Sequence, residues 1–429
     1  MNKKLKKILI LLVIIDIIAV AGILTYKYVI YSNKTSLSYK YTGNLKNGFL
    51  SVSDGTYYGY IDSSGNIIFP LENKLPNKVE SDIDLNDYYY IEGLAKYYNN
   101  SAYGIINDKG EILIEAQYAD LKIYSKDVII VSTMAESFII NSSQEPYFES
   151  GYVYLTTDEN DIEHFIAEDN SLKYGIIDIN GNTIIDFQYD NIYYVHNNTK
   201  DKYIYVATKD NEYSVYNKNL EQISIDNVSA IYWFEDDTIC YLDNNSIVHT
   251  YNIVTNKDET YDSQYKYVNY YVDGLAFVSD SNNKYGYIDE NKNLVIDLKY
   301  SYLVSNFKDN YASVCNYDNN SINCGIIDKS GNTIIEEKYN DIIIINDKYL
   351  LVEDNNNKYI INYEEEKKTN TYSEIQVIDN GKYYIVTNNK GKYGVLDSDF
   401  NIIYNISYSN IKYNEGKFIL KDRKGIDIK

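Results

Sequence analysis

The chain has 429 residues, a formal net charge of −22 and a pI near 4.6, which argues against nucleic acid as a partner and against adsorption of its body on anionic lipid. Hydrophobic residues make up 45% of it, enough for a large core, so general disorder is not expected. Ile, Val and Tyr dominate, with 52 Tyr and only 3 Pro, a composition suited to strands with few missing backbone donors.

Residues 1–31 differ from the rest. Lys3, Lys4, Lys6 and Lys7 precede an apolar run over residues 8–24, broken only by Asp16. At about 1.5 Å per residue, this run with its flank to Tyr31 spans a hydrocarbon core of roughly 30 Å. The expectation is one transmembrane signal-anchor helix, with the lysines cytoplasmic and everything beyond residue 31 outside the membrane. Ala19-Val20-Ala21 gives the alternative, a signal peptide cleaved near Ala21 and a secreted product. Asp16 then reads as a protonated carboxyl or a helix-association contact. Residues 32–42 form a polar linker.

From residue 43 onward one motif recurs. Its fullest copy is YGIIDINGNTIIDFQYDNI at residues 174–192, with close relatives starting at Tyr58, Tyr103, Tyr285, Cys324 and Tyr393. With the Gly of the Tyr-Gly pair as a ruler, clear copies sit at Gly59, Gly104, Gly175, Gly286, Gly325 and Gly394. Degenerate copies place Phe138, Ser214, Thr250 and Ile360 at the same register, and Lys424-Gly425-Ile426-Asp427 starts a truncated one. The array is about ten units of roughly 37 residues, with a division into two sub-arrays near residue 230 as a further option.

Within a unit, Tyr285 and Tyr287 and then Leu294, Ile296 and Leu298 alternate with small or polar residues, the period of half-buried strands. Asp178, Gly181 and Asn182, or Asp328, Gly331 and Asn332, form the turn between them. A terminal Tyr, an apolar strand such as residues 342–345 and a small-to-apolar strand such as residues 274–278 complete three to four short antiparallel strands. The Gly after Tyr reads as a packing contact between repeats. Such sheets cannot bury both faces alone and must stack. The expected fold is therefore an all-β repeat protein of propeller-like blades, with an open hairpin stack or solenoid as the alternative.

This pattern, with a following Gly-x-Ala-x-Val strand, resembles the bacterial WG-repeat family. Tyr replaces the family's Trp at Tyr58, Tyr103, Tyr174, Tyr285 and Tyr393, Cys324 replaces it once, and the family's Pro survives as Pro70. The resemblance covers residues 43–429 and implies an interaction module, often exported or attached to the envelope. It supplies no catalytic residues.

Chemistry-bearing patterns are sparse. His164, His196 and His249 fall in different units without shared register and read as solvated loop residues. Residues 178–182 faintly resemble a calcium loop, but Tyr189 stands where a bidentate carboxylate is needed, so turn chemistry is the better reading. Glu364-Glu365-Glu366 and Glu235-Asp236-Asp237 read as solvated loops. Cys240, Cys315 and Cys324 lack zinc spacing; Cys315 and Cys324 flank a hairpin-like run and could face each other, although two buried small hydrophobes are the simpler reading. Recurrent tyrosines read as core before ligand platform.

The sequence thus predicts a membrane-anchored, extracytoplasmic, non-catalytic binding module for protein or envelope polysaccharide, with a structural spacer as the alternative. No catalytic, cofactor or metal residue is assigned, and the binding residues stay open.

Overall fold

The computed structural model describes residues 39–75, 85–149, 151–318, 320–422 and 425–429. The anchor or signal segment of residues 1–31, with Asp16, lies outside the described residues, as does the linker up to residue 38. No helix among the described residues is long and apolar enough to cross a membrane.

Eleven small antiparallel sheets follow one another along the described chain. They span residues 41–74, 90–118, 120–140, 154–189, 191–223, 228–260, 265–300, 303–339, 341–362, 374–408 and 410–428, and are numbered sheets 1 to 11 in that order. Each is a meander in which consecutive strands are neighbours; sheets 3, 9 and 11 have three strands and the others four. These are blade-like units, and the hairpin rhythm read from the motif is their cause. The count is one above ten because the truncated copy at the end builds a sheet of its own, closed by Ile426–Ile428.

All ten ruler positions before that copy lie in the third strand of their sheets. In sheet 4 that strand, Tyr174–Asp178, pairs with Asp161–Glu168 on one side and with Thr183–Tyr189 on the other. The motif straddles a boundary: Ile192 already belongs to the first strand of sheet 5, Asn191–His196. A repeat counted from the Tyr-Gly pair is therefore one hairpin out of phase with a sheet.

The expected alternation in the fourth strand holds only in part. In sheet 7, Tyr287 pairs with Ile296 but Ile288 pairs with Leu294, so Val295 is an extra residue. This bulge shifts the register: Ile296 and Tyr300 are buried, Leu298 is half-buried, and Leu294 and Val295 face solvent.

The core lies between successive sheets. Ile204, Val206 and Val215 of sheet 5 pack on Phe234, Ile239 and Tyr241 of sheet 6. Leu275 and Tyr287 of sheet 7 pack on Phe307 and Val314 at sheet 8. Tyrosine is a principal core residue, with Tyr58, Tyr60, Tyr90, Tyr205, Tyr287 and Tyr384 fully buried. Only Tyr154, Tyr302 and Tyr317 are exposed among the described tyrosines.

Two compact units emerge. One combines the described residues up to Ala116 with Tyr408–Lys429; the other is Gln117–Ser407, and residue 230 falls inside it. Within the first unit the last sheet packs on the first: Ile419, Ile426 and Ile428 meet Leu45, Leu50 and Val52. The Lys412 ammonium donates to the Thr42 carbonyl at 2.7 Å, and the Glu415 carboxylate accepts the Asn47 amide at 2.6 Å.

Candidate binding clefts

The ruler glycine has a specific local cause. In sheet 4, Tyr174 pairs with Tyr189 and Ile176 with Ile185, so three fourth-strand residues arch over Gly175. A Cβ on Gly175 would stand 2.7 Å from the Ile185 carbonyl oxygen. The equivalent carbonyls of Phe69, Ile114, Ile296, Ile335 and Tyr404 crowd Gly59, Gly104, Gly286, Gly325 and Gly394 at under 3.0 Å. The close approach is thus made by the fourth strand of the same sheet, which corrects the expectation of a contact between repeats.

Where the ruler is not Gly, that arch is missing. Ser214 has a two-residue fourth strand beside it, Gln222–Ile223, and Thr250 faces an unbulged one, Lys257–Thr260. Beside Phe138 and Ile360 there is no fourth strand. In place of a paired strand, isolated bridges join the third strand to the chain that follows it, Ile140 with Pro146 and Ser137 with Tyr152, then Ile361 with Lys367 and Lys358 with Tyr372. A side chain at the ruler position and loss of the arch go together, and at Phe138 and Ile360 the fourth-strand ladder is lost as well.

Both interrupted sheets border a cleft. The first, about 490 Å³, runs between sheets 3 and 4. Leu121, Ile130 and Leu155 form its buried floor. Its rim carries Tyr154 and Met134, 46% and 96% exposed, with the charged groups of Asp120, Lys122 and Glu136. Ser132 and Ser137 share a hydrogen bond at 2.8 Å, and Thr133 Oγ1 donates to the Glu136 carbonyl at 2.9 Å. The second, about 610 Å³, lies between sheets 9 and 10, lined by residues 367–372 and by Leu396, Phe400 and Ile402. Sequence reasoning marked Phe138 and Ile360 as breaks in the pattern but missed the lining residues, nearly all of which lie on other strands or in connecting segments.

The three histidines are strand residues, each beside a carboxylate, not solvated loop residues. His164 Nδ1 lies 3.1 Å from Asp161 Oδ2, and His196 Nε2 lies 2.7 Å from Asp158 Oδ2, tying sheet 5 to sheet 4. Asp161 is buried and also accepts from the Tyr205 hydroxyl. Burial, with the nearby Tyr194 and Asp161, pushes the Tyr205 phenol far up, so it remains a neutral donor. His249 sits apart, 3.3 Å from Asp258 and 3.6 Å from Asp243, and stacks on Tyr241. No group of three or more His, Cys, Asp or Glu placed to hold a metal occurs among the described residues.

The loop at residues 178–182 is a turn. Asp178 Oδ1 accepts the amides of Asn180 and Asn182 at 2.9 and 2.8 Å, and Oδ2 accepts the Asn182 side chain at 2.8 Å. The same set recurs at Asp328 with Ser330 and Asn332. The acidic runs are not merely solvated: Glu235 accepts the Asn198 amide at 2.8 Å, Lys202 reaches Asp237 at 2.9 Å, and Glu365 accepts from the Tyr339 hydroxyl at 3.0 Å. Cys315 and Cys324 form a disulfide, contrary to the simpler reading, because they are direct partners across the hairpin of sheet 8. Cys240 is free and buried.

An all-β array of blade-like sheets whose regular copies carry a Tyr-Gly hairpin, Cys-Gly at Cys324, defines the class. Residues 58–72, 103–133, 174–213, 285–319 and 325–359 match the family model of the WG containing repeat. No curated protein matches the chain. Among solved structures, the designed protein Ika8 is similar at 10% identity over 64% of this chain and 94% of its own, with a TM-score of 0.33. BamB from Moraxella catarrhalis is similar at 11% identity over 64% and 98%, TM-score 0.34. Hsv2 from Kluyveromyces lactis is similar at 12% identity over 48% and 73%, TM-score 0.32. At these values none of them bears on function.

Proposed function

We propose that this chain of WG-type repeats is a non-catalytic binding module, held at the outer face of a membrane by residues 1–31, that takes a protein segment or envelope polysaccharide in the cleft between sheets 3 and 4. The observation that carries the reading is that cleft, with Tyr154 and Met134 exposed above an apolar floor. Exposed aromatic and thioether side chains on a rigid frame offer contact area at low entropic cost. The disulfide of sheet 8 supports an oxidising, extracytoplasmic setting. The spacer alternative predicts a uniform array, and the two interrupted sheets count against it.

The test is retention of envelope material by the full chain, with mass spectrometry and glycan analysis of what is held. One protein or polysaccharide should be retained by the unaltered chain and held at least about tenfold more weakly by Tyr154→Ala. Retention of nothing, or equal retention by the variant, would sink the reading.

A further inference from the structure

We infer that the cleft between sheets 9 and 10 is a second, separate site, for an anionic group, carboxylate or phosphate, carried on a hydroxyl-rich chain. It does not depend on the cleft at sheet 3. The chain has 62 acidic against 40 basic residues, yet this lining holds Lys367 and Lys368 and no carboxylate. Thr369, Asn370 and Thr371 add hydroxyl and amide groups, and Leu396, Phe400 and Ile402 supply an apolar wall against which the non-polar face of a sugar or polyol can lie.

The two lysines are held in place by their surroundings. The Lys367 ammonium lies 4.2 Å from the centroid of the Tyr359 ring and donates to Thr371 Oγ1 at 2.5 Å, which leaves donor capacity on a group with three N–H bonds. Lys368 pairs with Glu366 at 2.5 Å, but the Glu366 side chain is 61% exposed, and a pair so open to water contributes little and exchanges readily for an incoming anion. The backbone around them is fixed: the Ile360 amide donates to Thr369 Oγ1 at 3.0 Å, and the Lys368 amide to the Ile360 carbonyl at 2.8 Å. Sheet 9 lacks a fourth strand, and this short cationic excursion takes its place.

The experiment titrates the full chain with three labelled probes of matched length: oligogalacturonate for carboxylate, poly(glycerol phosphate) for phosphate, and a neutral cello-oligosaccharide. At least one anionic probe should bind about tenfold or more tightly than the neutral one, with affinity that falls as salt is raised. The stronger of the two names the source of the anion. Lys367→Gln with Lys368→Gln should lose about tenfold in affinity, the paired Arg substitutions should retain it, and Tyr154→Ala should leave it unchanged. Lys368→Gln alone serves if the double variant misfolds, with a smaller loss expected. Equal binding of the neutral probe, no binding of either anion, or wild-type affinity in the Gln variants overturns the site.

Discussion

At the scale of single residues, the repeat is defined by what cannot be added to it. Gly175 is invaded by the Ile185 carbonyl, so Gly175→Ala should destabilise the protein by about 1–3 kcal/mol, the usual cost of overpacking. Thr250→Ala, where the fourth strand runs without a bulge, should stay within about 1 kcal/mol. Urea unfolding of both variants checks this, and equal stability would refute the close-approach account. Tyrosine has the complementary role: its ring fills the space between sheets, and in several copies its hydroxyl donates to a backbone carbonyl, as Tyr287 does to Ser305 at 2.8 Å and Tyr60 to Lys96 at 2.7 Å.

At the scale of the element, the bulged fourth strand is a docking surface for the next sheet. The turn at Gly331 in sheet 8 sits against the Ile296 side chain of sheet 7, so these two hairpins interlock. Sheet 8 differs in one respect, the disulfide across its central hairpin, where Cys324 stands in the place taken by Tyr in other copies. Closing so short a loop is worth about 2–3 kcal/mol at most. Reduction, or Cys315→Ala with Cys324→Ala, should therefore lower stability by up to that amount and raise hydrogen exchange chiefly in sheet 8 and its neighbours. Unchanged exchange there would remove the disulfide from the account of stability.

At the scale of the whole molecule, the recurrent turn aspartates make stability depend on pH. Partial burial pushes Asp178 up, but the Asn182 side chain and the amides of Asn182 and Asn180 outweigh it and hold the carboxyl below its usual range. At Asp328 the Asn332 side chain is the main cause in the same direction, and Asp62, Asp289 and Asp397 follow. A carboxyl depressed by folding contributes fully above its unfolded value, near about pH 4, and loses that contribution as pH falls through the folded value. Neutralising part of the −22 charge acts oppositely, relieving repulsion as pH drops toward the pI of 4.6. The melting temperature should hold or rise between about pH 7 and 5 and then fall below about pH 4. A melting temperature still rising below pH 4 would show that the turns do not contribute.

The sequence by itself determined the hairpins, their turns, the period and the all-β class, because Asp-x-x-Gly-Asn and alternating Ile and Tyr act over a few residues. It also marked Phe138 and Ile360 as irregular. Only the tertiary structure decided that Gly answers to a bulge in its own sheet, that Leu294 faces solvent, that Cys315 and Cys324 are joined, and that each interrupted sheet borders a cleft. These depend on strand register and on neighbouring sheets. A one-residue bulge reverses which side chains face inward, and a cleft is lined by residues as distant in sequence as Leu121 and Leu155, so no local pattern records either.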